Sequence, residues 1–193
     1  MTHHSLALRS AIKKYVTGKQ VVDLGAGDLA WSRWLLASGG AARVIAVDKE
    51  PAKGLTKPPR RAEFHYCQMP FACYADDIAP YRPFTDAVAF VSWPVNNTGY
   101  MADLLRVIES FGTVVYIGSN TDGTACGTPE LFNVLCRRQL LDYVPGRLES
   151  LIVVGEPLEH LRLPTGEEWA GRSSVLYRWD EVRDFDEAAK AAA

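Results

Sequence analysis

Two hydrophobic rhythms alternate along this chain. Short, nearly unbroken apolar runs predict strands covered on both faces, and stretches with an apolar residue every third or fourth position predict amphipathic helices. Runs of the first kind occur at 21–24, 43–48, 63–67, 86–91 and 113–117. Helical spacing appears over 5–15 (Leu6, Leu8, Ile12, Tyr15), over 28–38 (Trp31, Trp34, Leu35, Ser38) and over 100–108 (Tyr100, Leu104, Leu105, Ile108). Gly18 ends the first of these helices and Gly39-Gly40 the second, where a left-handed residue commonly closes a helix. Thr128-Pro129-Glu130 reads as cap, first-turn proline and first-turn acid, which predicts a helix running to about residue 142. Residues 151–154 and 174–179 predict two more strands, joined by a proline-containing loop instead of a helix. The 51–59 stretch, with Pro51, Pro58, Pro59 and Gly54, is too broken for a long helix.

Alternation of strand and helix from 21 to 142 argues for an α/β fold: Rossmann-like, doubly wound, a mostly parallel seven-stranded sheet with helices on both faces. The last two strands, lacking a helix between them, predict an antiparallel edge hairpin. We expect a single domain over 1–193, with an N-terminal helix (1–18), a core (19–180) and a frayed alanine-rich tail (181–193). At 193 residues and 48% hydrophobic, the chain is long enough for one core without disulfides or structural metal. The formal charge of -2 excludes a whole-molecule field that would gather a polyanion. Cys67, Cys73, Cys126 and Cys136 form no CxxC pair, so no metal site is expected and free thiols of a reducing, cytoplasmic setting account for them. No apolar run approaches the ~20 residues that span a bilayer, and the start carries no signal pattern; no membrane partner is expected.

Candidate chemistry lies where the first strand meets Gly25-Ala26-Gly27. Strand, tight glycine turn and helix together bring a ligand close to backbone amides at the carboxyl edge of a parallel sheet. With Ala30 the spacing also fits the dinucleotide fingerprint, and Asp48 lies where that fold places a ribose-binding acid. Charge discriminates between ligands. Asp23 precedes the turn and Asp28 follows it, and at an effective dielectric of ~20 each carboxylate ~4–6 Å from a phosphate costs on the order of 3–4 kcal/mol before screening. A diphosphate is repelled, whereas a sulfonium with an ammonium group and ribose hydroxyls is attracted.

Residues Val21-Val22-Asp23-Leu24-Gly25-Ala26-Gly27-Asp28 resemble the first motif of the class I S-adenosylmethionine-dependent methyltransferases, with an acid two positions before the first glycine. The resemblance extends over roughly 21–179. It implies that Asp48, with Lys49 beside it, holds the ribose and that Gln68 and Met69 lie beside the adenine, Gln68 replacing the family's common acid. It implies S-adenosyl-L-methionine as cofactor, bound through Asp23, Gly25, Ala26, Gly27, Asp28, Asp48, Lys49, Gln68, Met69 and Ser92.

Ser92-Trp93-Pro94-Val95-Asn96-Asn97 resembles a distant variant of the Asp/Asn/Ser-Pro-Pro-Tyr/Phe segment with which amino-methylating members hold an acceptor nitrogen. Ser92 is then expected to present a polar group, Asn96 to orient the acceptor and Trp93 to exclude water or attract the positive methyl-sulfur centre. Trp93 stands in place of the first proline and Val95 in place of the aromatic. The loop 119–127, containing Cys126, is a second candidate wall. Few residues remain for substrate recognition, which favours a small-molecule acceptor; a nucleic acid or protein held by a partner subunit is the alternative. Two other functions are weighed: a catalytically silent S-adenosylmethionine-binding scaffold or regulatory subunit, motivated by the departures of Ser92-Trp93-Pro94-Val95 from that segment, and an NAD-dependent oxidoreductase, motivated by the glycine spacing alone.

Overall fold

Apolar residues on successive strand positions point to opposite faces, so an unbroken apolar strand needs a helical layer on each side. The computed structural model, which describes residues 6–50, 63–71, 73–74, 84–95, 98–119, 126–145 and 149–158, has this arrangement. Seven strands, β1 (Gln20–Leu24), β2 (Arg43–Asp48), β3 (Phe64–Gln68), β4 (Phe84–Ser92), β5 (Phe111–Gly118), β6 (Arg138–Val144) and β7 (Ser150–Pro157), form one sheet in the order β3-β2-β1-β4-β5-β7-β6. The first five are parallel to one another, and β7 runs antiparallel between β5 and β6.

Helix α1 (Leu6–Val16) and α2 (Ala30–Trp34), which continues as a π-helical turn through Leu35–Gly39, cover one face. There Ile12, Val16 and Leu35 pack with Val21, Val44, Ala46, Val88 and Phe90. Helices α3 (Thr98–Ile108) and α4 (Pro129–Cys136) cover the other, where Met101, Leu104, Leu131 and Leu135 meet Val22, Leu24, Val47, Ala89 and Val91. Odd and even positions of β1 thus enter different clusters, which is why the strand reads as continuously apolar. The polar exception, Asp23, is buried under α2. Among the described residues no helix is long and apolar enough to cross a membrane.

One predicted element changes. The helix begins as expected, with Thr128 extended at the cap and its hydroxyl accepting from the Leu131 amide, but it ends at Cys136 instead of about 142. Residues Arg138–Val144 form β6 because tertiary partners outweigh local helical spacing. Arg138, buried at the start of β6, donates from Nε to the Gly155 carbonyl (2.7 Å) and from Nη2 to the Phe111 carbonyl. Tyr15 of α1 donates its hydroxyl to the Leu141 carbonyl (3.1 Å) and lies 3.2 Å from Asp142 Oδ2. The edge hairpin therefore pairs β6 with β7, whereas the sequence pairs 151–154 with 174–179; the latter stretch and the tail lie outside the described residues.

Arg138 ties three strands together, so Arg138→Ala is expected to destabilise the fold by about 2–4 kcal/mol, since two carbonyls lose a charged donor and a void opens. Urea unfolding of the two proteins measures it.

Candidate active site

In an open α/β sheet the ligand crevice opens where strand order reverses, at the carboxyl ends of the strands. Here the reversal falls between β1 and β4. The chain leaving β1 turns through Gly25 (φ 80°) and Gly27 (φ 52°), left-handed values that suit glycine. The Gly25 and Ala26 amides both donate to the Val47 carbonyl, at 2.8 and 3.2 Å, and fix the turn to the end of β2. A side chain at Gly25 has no room, because its Cβ would stand 2.5 Å from the Tyr100 hydroxyl.

Asp48, the last residue of β2, accepts from the Gly27 amide at Oδ2 (2.8 Å) and from the Glu50 amide at Oδ1 (3.0 Å). Each oxygen keeps lone-pair capacity for a further donor. Asp28 accepts from the Ala30 amide (2.9 Å). Asp23 points away from the turn, toward α2, and accepts a short hydrogen bond from the Ser32 hydroxyl. Burial pushes its carboxyl from 3.8 up to about 7; the Ser32 bond opposes this, and the charges of Asp48 and Asp28 add to it. The Tyr100 phenol is likewise pushed well above its ordinary range, chiefly by burial and further by Asp48 and Asp23. It keeps its proton at neutral pH and acts as a donor, not a base.

A cavity of about 440 Å³ opens beside the turn. Gly25, Gly27, Asp48, Lys49 and Glu50 form one wall; Phe71, Trp93, Tyr100 and Asp103 are among the residues completing it. The Phe71 and Tyr100 rings pack 5.0 Å apart. Three carboxylates, Asp48, Glu50 and Asp103, face one ammonium, Lys49, among the described lining residues.

Of the residues expected from sequence, Gly25, Gly27, Asp48, Lys49 and Trp93 line this cavity. Ala26 is buried against the α1/α2 side, and Asp28 is exposed beside the turn. Gln68 is exposed at the end of β3, and Met69 packs against the core with its amide donating to the Asp48 carbonyl (2.9 Å); neither lines the cavity. Ser92 is half-buried at the end of β4, and Asn96 lies outside the described residues. Phe71, Tyr100, Asp103 and Glu50 are additions to the sequence-derived set. Tyr100 and Asp103 stand three apart on one helix, a spacing that puts both on the same face and was available in the sequence.

Trp93 has an unusual backbone. It is a non-glycine residue at φ 48°, and it stays 39% exposed. Its amide donates to the Ile117 carbonyl (2.8 Å), and its indole Nε1 donates to Glu149 Oε2 (3.1 Å). The Gly127 amide reaches the Pro94 carbonyl (3.0 Å), joining the segment to the end of the 119–127 loop. At that loop's base, Cys126 is buried and accepts from the Ser119 amide (2.9 Å), with the Tyr116 hydroxyl 3.2 Å away. Its thiol is a packing and hydrogen-bonding group. Residues 120–125 lie outside the described residues.

No family model matches the chain. No curated protein matches it either. Solved structures do. The methyltransferase candidate YhhF of Escherichia coli is 13% identical, with a TM-score of 0.54, over 79% of this chain and 83% of its own. The ribosomal protein L11 methylase of Lactobacillus delbrueckii subsp. bulgaricus is 13% identical, with a TM-score of 0.53, over 81% and 80%. An RNA methyltransferase candidate of Pyrococcus horikoshii is 14% identical, with a TM-score of 0.53, over 78% and 82%. The chain has the class I methyltransferase fold, a Rossmann-like sheet with an antiparallel edge.

Proposed function

We propose that this chain transfers a methyl group from S-adenosyl-L-methionine to an acceptor bound beside Trp93. The observation that carries the reading is the acidic glycine turn: Asp48 bonded to the Gly27 amide, at the edge of a cavity whose described lining has three carboxylates and one lysine. Such a site favours a cationic nucleoside over a doubly negative one.

On this reading the spare lone pairs of Asp48 receive ribose hydroxyls. Gly25 and Gly27 offer backbone to the amino-acid end. When bound, the cofactor supplies a sulfonium methyl, which takes an acceptor lone pair as the carbon–sulfur pair returns to a neutral thioether. The chain's own part is positioning: Trp93 and Tyr100 wall the cavity, the Tyr100 phenol donates without accepting a proton, and the acceptor's proton leaves to solvent. Ser92 and Asn96 are proposed to orient the acceptor.

Calorimetric titration with S-adenosylhomocysteine, S-adenosylmethionine and NAD tests this. Saturable heat with the first two and none with NAD is expected. Heat with NAD alone would overturn the reading and restore the oxidoreductase one.

A further inference from the structure

The Trp93 wall of the cavity combines features that a nucleoside site does not require. Trp93 is held in a left-handed conformation, a strained state that persists only when its surroundings enforce it. Here the enforcing contacts are identifiable: its amide is tied to the Ile117 carbonyl, and the carbonyl of the next residue, Pro94, receives the Gly127 amide. The result leaves a large indole exposed at the cavity wall instead of packed in the core. Glu149, immediately before β7, accepts the indole N–H and fixes the ring. Donation to a carboxylate also makes the ring more electron-rich. A fixed, electron-rich indole face is the strongest side-chain partner for an organic cation. Asp103 and the rings of Phe71 and Tyr100 lie on the same cavity, and the net charge of its described lining residues is negative.

We infer that the cavity recognises an acceptor carrying an organic cation, a quaternary or protonated amine, with Trp93 as its platform and Asp103 as its counter-charge. The inference rests on the methyltransferase reading for the word acceptor but not for the binding itself. A protonated or quaternary nitrogen has no lone pair, so the cation is a handle. The atom methylated is a separate nucleophile of the same molecule, and a small molecule with both groups fits a cavity of about 440 Å³ that also holds cofactor only if it is compact.

Choline and its uncharged carbon isostere, 3,3-dimethylbutan-1-ol, test the inference with the full chain, by saturation-transfer NMR and tryptophan fluorescence, with and without S-adenosylhomocysteine. Choline is expected to bind at least about tenfold more tightly than the alcohol, and Trp93→Leu to lose most of that preference while Trp93→Phe retains part of it. Equal affinity for the two probes would overturn the inference, as would a Trp93→Leu variant that is folded by circular dichroism and keeps the full preference. Should Trp93→Leu not fold, Asp103→Asn carries the same test, with the same two outcomes. The two readings fail separately. Homocysteine-product binding without choline selectivity sinks this inference alone, and choline selectivity without product binding sinks the cofactor assignment alone.

Discussion

Gly25→Ala is expected to weaken S-adenosylhomocysteine binding by about 100-fold, the product of backbone strain and a steric conflict that each cost roughly 1–3 kcal/mol. The strain arises because Gly25 sits at φ 80°. The conflict arises because the new methyl would lie 2.5 Å from the Tyr100 hydroxyl. Relief of either moves the turn away from β2, where its amides bond to Val47, and disturbs the 2.8 Å bond between the Gly27 amide and Asp48. The two costs are separable. With the hydroxyl oxygen removed, the nearest ring atom of residue 100 is Cζ at 3.8 Å, an ordinary contact, so Gly25→Ala combined with Tyr100→Phe should recover about tenfold of the loss. Gly27→Ala is a control. Its Cβ meets nothing nearer than the Gly25 carbonyl at 4.0 Å, so only its φ of 52° opposes it and the effect should be smaller. Calorimetry on the wild type, Gly25→Ala, Tyr100→Phe and the double variant measures the cycle, with Gly27→Ala beside it; a double variant no better than Gly25→Ala would show that the Tyr100 hydroxyl does not shape the turn.

That turn was legible from the sequence, because two glycines between an apolar strand and a helical pattern leave few alternatives for the backbone. The five parallel strands were legible for a related reason: burial on both faces writes itself as unbroken apolar runs. The edge hairpin was half legible. Residues 151–154 read as a strand, but the partner strand carries Arg138, Gln139, Asp142 and Tyr143, a polar-rich stretch that continues the helical spacing of the helix before it. What makes it a strand is remote: the Gly155 and Phe111 carbonyls that receive the Arg138 guanidinium, and the Tyr15 hydroxyl at Leu141. No local window contains those partners.

The site divides in the same way. Residues on the glycine turn and at the end of β2 were found because their roles follow from position along a strand. Tyr100 and Asp103 were not, because a helix facing a cavity has the same apolar spacing as a helix facing core, and only assembly shows that its first turns overhang the crevice. Trp93 was singled out as an aromatic in a degraded motif, but its left-handed backbone and the Glu149 anchor 56 residues away are tertiary facts. Asp23 is the most instructive case. The sequence places it beside the glycine turn as a ligand-facing charge, and alternation along β1 turns it under α2 toward Ser32.

That inward position makes Asp23 a source of pH-dependent stability with a definite sign. Its carboxyl is raised by burial from 3.8 to about 7 in the folded chain, so between those values the folded state holds a proton that the unfolded state has lost. Stability is therefore full below pH ~4, falls as pH rises toward 7 by up to about 1.4 kcal/mol per pH unit, and levels above it. Asp23→Asn keeps an oxygen acceptor for the Ser32 hydroxyl and removes the titration, so the variant should show a flat profile over pH 5–7 and exceed the wild type at pH 8. Urea unfolding at intervals from pH 5 to 8 reads both. A wild-type stability that climbs over that interval, with the climb lost in Asp23→Asn, would mean the carboxylate is held ionised and the burial argument fails. The same titration bears on ligand charge. Asp23 is coupled electrostatically to Asp48 and Asp28, so a sulfonium at the turn favours its ionised form and a neutral thioether does not. The preference for S-adenosylmethionine over S-adenosylhomocysteine should therefore grow from pH 6 to pH 8 in the wild type and stay constant in Asp23→Asn, which ties the buried carboxyl to the charge of the ligand without any contact between them.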